Sequence, residues 1–347
     1  MGEVRAWGRT DVTALARAHP EWFATGDPRD DNALDGDLHV TVTLLGSGES
    51  YAAWLAVALA GDELHRRGRR TAVIRVPRRS PDDLPRPMAE EFAALLLAPE
   101  GVGPRPIHLQ EPGGGETGPP AYLVVDQVPG QVRPRGSWTD ELLVAHAGQL
   151  ARLHTRQYAG HGAVTEISTG LVPRLSIVES GAASWEWWRR AHPEITALPE
   201  VSRLWDGVRR CFDEAEPAFA ALTTFSLVHG DAAVPNILVS GGVPRYVDWE
   251  WACIGDPARD LGYLGGPVWA DPWYLPLEPG RVDLLLDAYV DAAGPPRDRE
   301  TLAVRRLAWL VHETFFVTLH LRRQEDRDRY GRAIARIEEG LTDLLVR

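Results

Sequence analysis

The sequence predicts an α+β chain of two lobes: a small antiparallel β-sheet lobe over residues 1–128 and a larger, mainly helical lobe over 129–347. Three observations predict it. Short alternating segments joined by Gly- and Pro-rich turns crowd the first third. Long amphipathic segments fill the rest, and Pro129-Gly130 stops the chain after its last strongly apolar strand.

"VTVTLL" (40–45) alternates as a half-buried strand does, "GSGES" (46–50) is a flexible turn, and "YAAWLAVALA" (51–60) and "TAVIRV" (71–76) are the next two strands. "PRPMAEEFAALLLA" (85–98) has Pro near its start and acid in its first turn, with Phe92, Leu95 and Leu96 on one face of a helix. A fourth strand is expected within 103–120, and "AYLVVDQV" (121–128) is the apolar strand that ends the lobe. Helical spacing of Leu142, Leu143, Leu150 and Leu153 predicts a helix over 138–158, with Ser137 as its N-cap. A second helix covers 199–222, burying Leu204, Val208, Phe212 and Phe219. Strands at 225–229, 236–240 and 244–248 interrupt, the last two joined by a Gly241-Gly242 hairpin turn. Helices follow at 281–292, 298–323 and 327–346. Small ligands usually bind in a cleft between two such lobes.

A net charge of -12 argues against a nucleic-acid binder, which would usually show a basic face, and is compatible with attracting cationic small molecules. No lysine occurs in the chain, so Schiff-base and lysine-base chemistry are excluded and every basic side chain is Arg. Cys211 and Cys253 have no metal-ligand spacing, which predicts two thiols in a reducing compartment. "MGEVRAWGRT" has no hydrophobic signal core, and no apolar run reaches the ~18 residues of a membrane span. A cytoplasmic chain is expected, with neither a nucleic-acid nor a membrane partner.

The chemistry concentrates in "LVHGDAAVPNILV" (227–239), where His229, Asp231 and Asn236 sit between two strand-like arms. An Asp at a loop tip can orient an attacking hydroxyl and accept its proton. An Asn five residues on can offer an amide oxygen to Mg2+ without adding charge, and a second carboxylate must help hold the metal. Asp248, twelve residues past Asn236 at the end of the next strand, is the candidate.

These residues resemble a known family. "HGDxxxxN", then "VDWE", then "GDPxxDL" look like the aminoglycoside phosphotransferase and choline kinase family, which has the protein-kinase-like bilobal fold. The matching residues are His229, Gly230, Asp231 and Asn236; Asp248, Trp249 and Glu250; and Gly255, Asp256, Pro257, Asp260 and Leu261, all within 33 residues. The resemblance implies a kinase using ATP or GTP with Mg2+. It makes Asp231 the catalytic residue, Asn236 and Asp248 the metal ligands, and Asp260 a structural brace. It also places Gly46, Ser47, Gly48 and Ser50 over the triphosphate. Arg75 stands where kinases carry their phosphate-binding Lys, with Glu91 or, second, Glu90 as its helix partner. Backbone groups from Asp126 to Val128 would meet the purine.

The acceptor side is expected to use Asp256, Trp269, Trp273 and Glu313. Five of the thirteen tryptophans, clustered in "SWEWWRR" and "WADPW", suit an acceptor with a flat or apolar surface. The leading expectation is an O-phosphotransferase acting on a small-molecule antibiotic (aminoglycoside, macrolide, nucleoside or peptide). A metabolic kinase of the choline, homoserine or sugar type is the alternative, and a nucleotide-binding pseudokinase a further one.

Overall fold

The computed structural model describes residues 7–23, 39–59, 70–80, 83–113, 120–265, 268, 273–294, 298–324 and 327–346. The chain forms two compact units, Met1–Val128 and Pro129–Arg347.

In the first unit, strands β1 (His39–Ser47), β2 (Tyr51–Leu59), β3 (Arg70–Pro77), β4 (Pro106–Gln110) and β5 (Tyr122–Asp126) make one antiparallel sheet in the order β1-β2-β3-β5-β4. Alternation buries Val40, Val42, Ala56, Ala72, Ile74 and Val124 in one core, each large apolar side chain contributing about 1.5–3 kcal/mol. A helix that the periodicity did not reveal, α1 (Arg9–Ala18), packs Val12 and Ala16 into the same core. Its apolar face is too narrow to stand out from the sequence.

Helix α2 (Met88–Leu97) buries Leu95 as expected, with Met88, Glu90, Glu91 and Ala94, while Phe92 is half-buried and Leu96 is 63% exposed. The spacing misleads at Leu96 because two buried glutamates, Glu90 and Glu91, take part of the core face.

The second unit is built on helices α3 (Asp140–Leu153), α4 (Ile177–Ala191), α5 (Pro199–Ala220), α6 (Pro279–Ala293), α7 (Arg299–Arg323) and α8 (Arg327–Leu345). Thr139, not Ser137, caps α3: its hydroxyl accepts from Leu142 N–H at 3.3 Å, and Ser137 lies in a preceding 3-10 turn. Asp140 and Glu141, in the first turn, suit that start electrostatically. α3 also ends early, at Leu153, leaving His154 outside the regular helix.

Two small sheets interrupt the helices. Strands β6 (Gln131–Val132), β9 (Ile237–Ser240) and β10 (Val243–Tyr246) form one, in the order β10-β9-β6. Strands β7 (Gln157–Tyr158), β8 (Phe225–Val228) and β11 (Cys253–Gly255) form the other, in the order β11-β8-β7. Gly241 and Gly242 turn the β9-β10 hairpin with φ of 58° and 78°, a left-handed pair that glycine adopts without strain. Among the described residues, no helix is long and apolar enough to cross a membrane.

Candidate active site

The loop between β8 and β9 is held from beneath by one buried carboxylate. Asp260, fully buried, accepts the His229 N–H at 2.7 Å on Oδ2 and the Gly230 N–H at 2.8 Å on Oδ1. His154 Nε2 reaches the same carboxylate at 3.1 Å, and its Nδ1 lies 2.9 Å from the Tyr289 hydroxyl. The early end of α3 is what places that ring. Burial would raise the Asp260 pKa, but the His154 bond and charge, with His229, outweigh it and hold the carboxyl below its ordinary value.

Gly230 is obligatory by geometry. Its φ is 78°, and an added Cβ would lie 2.3 Å from the Trp251 carbonyl oxygen. Its own carbonyl accepts the Tyr263 hydroxyl at 2.5 Å. His229 spends both ring nitrogens on backbone: Nε2 donates to Val247 O at 3.1 Å and Nδ1 accepts the Asp231 N–H at 3.2 Å. It therefore organises the loop.

At the tip, Asn236 Nδ2 donates to Asp231 Oδ2 at 2.8 Å and to Asp231 O at 3.0 Å. The pairing of Ile237 with Tyr246 continues as Val247 N–H to Asn236 O at 3.0 Å. The hairpin thus brings Asn236 beside the segment carrying Asp248. Asp248 has φ 68°, alone among the described non-glycine residues in the left-handed region. Such conformations cost about 1–3 kcal/mol and concentrate at functional sites.

Burial, and then the charges of Asp248, Glu313 and Glu250, push the Asp231 carboxyl up to about 7, with Arg259 opposing. This excess of negative charge fits a divalent cation, and the donors are hard oxygens of the kind magnesium prefers. No group of three or more His, Cys, Asp or Glu among the described residues could hold a metal on its own. Magnesium does not require one, since it commonly takes one or two protein carboxylates, substrate phosphates and water.

One expected acceptor residue, Asp256, is placed elsewhere. Asp256 is 1% exposed, with Oδ2 accepting from Arg305 Nε at 3.0 Å and Trp309 Nε1 at 3.1 Å. Its Oδ1 accepts the Ala258 N–H at 3.1 Å. Both oxygens are committed to protein donors, so Asp256 is a buried brace and not an acceptor contact. Trp269 lies outside the described residues. Trp273 is half-buried, stacks on Tyr330 with ring centroids 6.3 Å apart, and accepts the Val234 N–H at 3.4 Å. Glu313 is half-buried and paired with Arg259 Nε at 3.0 Å. Burial would raise its pKa, but Arg259 and His312 hold it at about 2. Arg259, paired with Glu313 and opposing the negative charge at Asp231, is not expected from the sequence, because it holds an unspecified place in "GDPxxDL".

In the first unit, Arg75 is 8% exposed and forms an ion pair with Glu91, which is 2% exposed. Its guanidinium also lies 4.4 Å from the Tyr51 ring centroid. The Gly-rich turn is clasped by two arginines: Arg78 Nη1 donates to Gly48 O, and Arg79 Nη2 meets Glu49 Oε2 at 2.8 Å. Gly46 and Gly48 have no positive φ and room for a Cβ, so nothing in the chain's own packing demands glycine there. Ser50 is buried at 5% exposure, whereas Ser47 is exposed. Asp126 donates its N–H to Arg105 O at 2.9 Å, and its carboxylate is bidentate with Arg105. Val128 is buried at the edge of the unit.

A carboxylate, an amide and a second carboxylate on a braced β-loop make the kind of site that phosphoryl transfer uses. A model of the phosphotransferase enzyme family matches residues 45–303, and the chain belongs to that family. Viomycin phosphotransferase from Streptomyces vinaceus is 32% identical over 178 residues, covering 46% of this chain and 55% of that protein. Thiamine kinase from Escherichia coli (strain SMS-3-5 / SECEC) is 26% identical over 200 residues, covering 57% and 58%. The chain thus spans little more than half the length of these curated relatives. Among solved structures, the GDP complex of wild-type aminoglycoside 2'-phosphotransferase-IIIa aligns with a TM-score of 0.61 at 17% identity, covering 97% of this chain and 100% of that one. Choline kinase from Cryptosporidium parvum Iowa II aligns with a TM-score of 0.58 at 12% identity, covering 97% of each chain. These likenesses establish the protein-kinase-like fold.

Proposed function

We propose that the chain transfers the γ-phosphoryl group of ATP or GTP to a hydroxyl of a small-molecule antibiotic. The observation that carries this reading is the Asp231–Asn236 hydrogen bond beside a left-handed Asp248. The similarity to viomycin phosphotransferase favours an antibiotic acceptor.

In this reading Asp231 orients the acceptor hydroxyl and takes its proton as the oxygen–phosphorus bond forms and the nucleoside diphosphate leaves. Asn236, through its amide oxygen, and Asp248 would hold magnesium, which when bound neutralises phosphate charge. The Asn236 amide N–H keeps the Asp231 carboxylate aimed. Arg75, fixed by Glu91, would contact phosphate oxygens in place of the usual lysine. The glycines at 46 and 48, idle in the chain's own packing, would let the backbone approach phosphate. Ser47 is the exposed hydroxyl available to it; the contact expected of Ser50 is disfavoured by its burial. The Asp126 N–H is already engaged, so purine recognition would fall to the Val128 backbone.

A second reading, a metabolic kinase, is favoured by the thiamine kinase similarity. One assay separates the two: nucleoside-diphosphate release, with ATP and GTP in parallel, against aminoglycosides, macrolides, nucleoside and peptide antibiotics, thiamine, choline and simple sugars. Turnover of an antibiotic class supports the proposal, turnover of a metabolite moves the chain to metabolism, and silence across the panel with nucleotide bound points to a pseudokinase.

Two further outcomes follow from the electrostatics. Asp248→Ala should weaken magnesium-nucleotide binding, seen as a raised magnesium requirement; an unchanged requirement would remove Asp248 as a ligand. Because Asp231 must be ionised to act as a base and its carboxyl sits at about 7, kcat/KM should fall as pH drops through that value. Removing the neighbouring charge with Asp248→Asn should shift this acid limb to lower pH. Bound magnesium, being positive, should shift it the same way.

A further inference from the structure

Two histidines of the first unit come together outside every motif. His19 ends α1 as its C-cap, and a 3-10 turn (Pro20–Phe23) follows at once. The Trp22 N–H donates to His19 O at 3.2 Å within that turn. Glu21 folds back on its neighbour, and His19 Nδ1 lies 2.7 Å from Glu21 Oε1. Burial would raise the Glu21 carboxyl, but the His19 bond and charge hold it below its ordinary value. An ionised carboxylate can only accept, so Nδ1 carries the hydrogen. In the neutral ring the lone pair is then on Nε2.

His108 comes from β4. Its ring centroid is 6.1 Å from that of His19, with planes 28° apart. Trp22 meets both rings: it stacks on His19 at 4.3 Å and tilts against His108 at 5.8 Å. Tyr122 of β5 also meets His108, at 5.7 Å. Trp22 and Tyr122 are buried, whereas both histidines are half-buried. The two imidazoles are thus braced by buried rings and still reach solvent. Among the described residues, His108 meets only rings and makes no hydrogen bond. Burial, and then the His19 charge, push the His108 pKa down, which favours the neutral ring. Neutral imidazole is the form that binds metal.

A carboxylate behind a histidine is the usual device that orients a metal-ligating ring and makes it more basic. Two imidazoles joined through one ion by bonds of ~2.1 Å have centroids roughly 5–6 Å apart. The pair seen here needs a small ring rotation to reach that range. Among the described residues, no group of three or more His, Cys, Asp or Glu could hold an ion, so water would fill the remaining positions. Imidazole donors suit zinc, copper and nickel, whereas magnesium takes oxygen.

We propose that His19 and His108 bind a divalent d-block ion such as zinc, with Glu21 orienting His19 from behind. The ion would clip the end of α1 to β4 and so fasten residues 9–23 to the sheet. The site belongs to the first unit, whereas the magnesium expected at Asn236 and Asp248 belongs to the second. It does not rest on the phosphotransferase reading.

Calorimetry on the untagged full chain tests this, with millimolar magnesium present to occupy oxygen sites. Zinc should bind with micromolar affinity and raise the denaturation midpoint. His19→Gln and His108→Gln should each abolish both effects, and Glu21→Gln should weaken binding about 10–100-fold. Circular dichroism and magnesium-nucleotide affinity show whether each variant is folded. Should a histidine variant not fold, nitrogen NMR of the native chain decides, through zinc-induced shifts of the His19 and His108 rings. Failure of zinc to bind the native chain at micromolar concentration overturns the proposal. So does binding that survives His108→Gln unchanged, or shifts confined to other histidines. Equal zinc affinity in Glu21→Gln would remove Glu21 as the orienting group.

Discussion

Asp231→Asn should abolish phosphoryl transfer while leaving the loop and its nucleotide affinity in place. The side chains are nearly the same size, and the amide oxygen can still accept from Asn236 Nδ2, which lies 2.8 Å from Asp231 Oδ2. What disappears is the proton acceptor. Loss of a positioned general base costs roughly 10²–10⁴ in kcat, and the deficit should not recover as pH rises. Nucleotide affinity, measured by calorimetry with magnesium, should hold or improve, since a raised-pKa carboxylate near the phosphates is removed. Retention of most of kcat in Asp231→Asn would remove Asp231 as the base.

The second large effect is on stability. Asp260→Ala should destabilise the second unit by about 3–5 kcal/mol, the range for breaking a buried charged pair. It would orphan the His229 and Gly230 amides and remove the partner of His154 Nε2. The denaturation midpoint in urea reports this, with an unchanged slope. The pH dependence gives an independent check. A carboxyl whose folded pKa is depressed adds stability above its unfolded value, and that stability is lost as pH falls through the folded value. Asp260→Asn should lack this acid-side loss. Equal acid sensitivity in the two proteins would show that the His154–Asp260 pair contributes little.

Much of this was legible from local pattern. The β9-β10 hairpin follows from Gly241-Gly242 between apolar arms, and it alone carries Asn236 toward Asp248. Arg75 and Glu91 are paired only through the family resemblance, with Glu90 as the second choice, and the ion pair forms with Glu91. Other features required tertiary information. Leu96 was misplaced on the inward face of α2 because buried charges stand where apolar residues are expected. Asp256 resembled an acceptor contact because its motif sits near the chemistry; Arg305 and Trp309, some fifty residues away, decide otherwise. The tryptophans of "SWEWWRR" were visible as a cluster, but not as part of α4. Their stacking on Trp205 depends on how α4 and α5 pack.

The Arg75–Glu91 pair has a practical consequence. Surveys of nucleotide-binding enzymes often rely on acyl-phosphate nucleotide probes, which acylate a lysine amine near the bound phosphates. The chain contains no lysine at all, and the residue proposed to meet the phosphates, Arg75, carries a guanidinium. An arginine stays protonated and does not react in that way. Such a survey would pass over this chain even with nucleotide bound, and the chain's absence from a chemoproteomic inventory would carry no information about its activity.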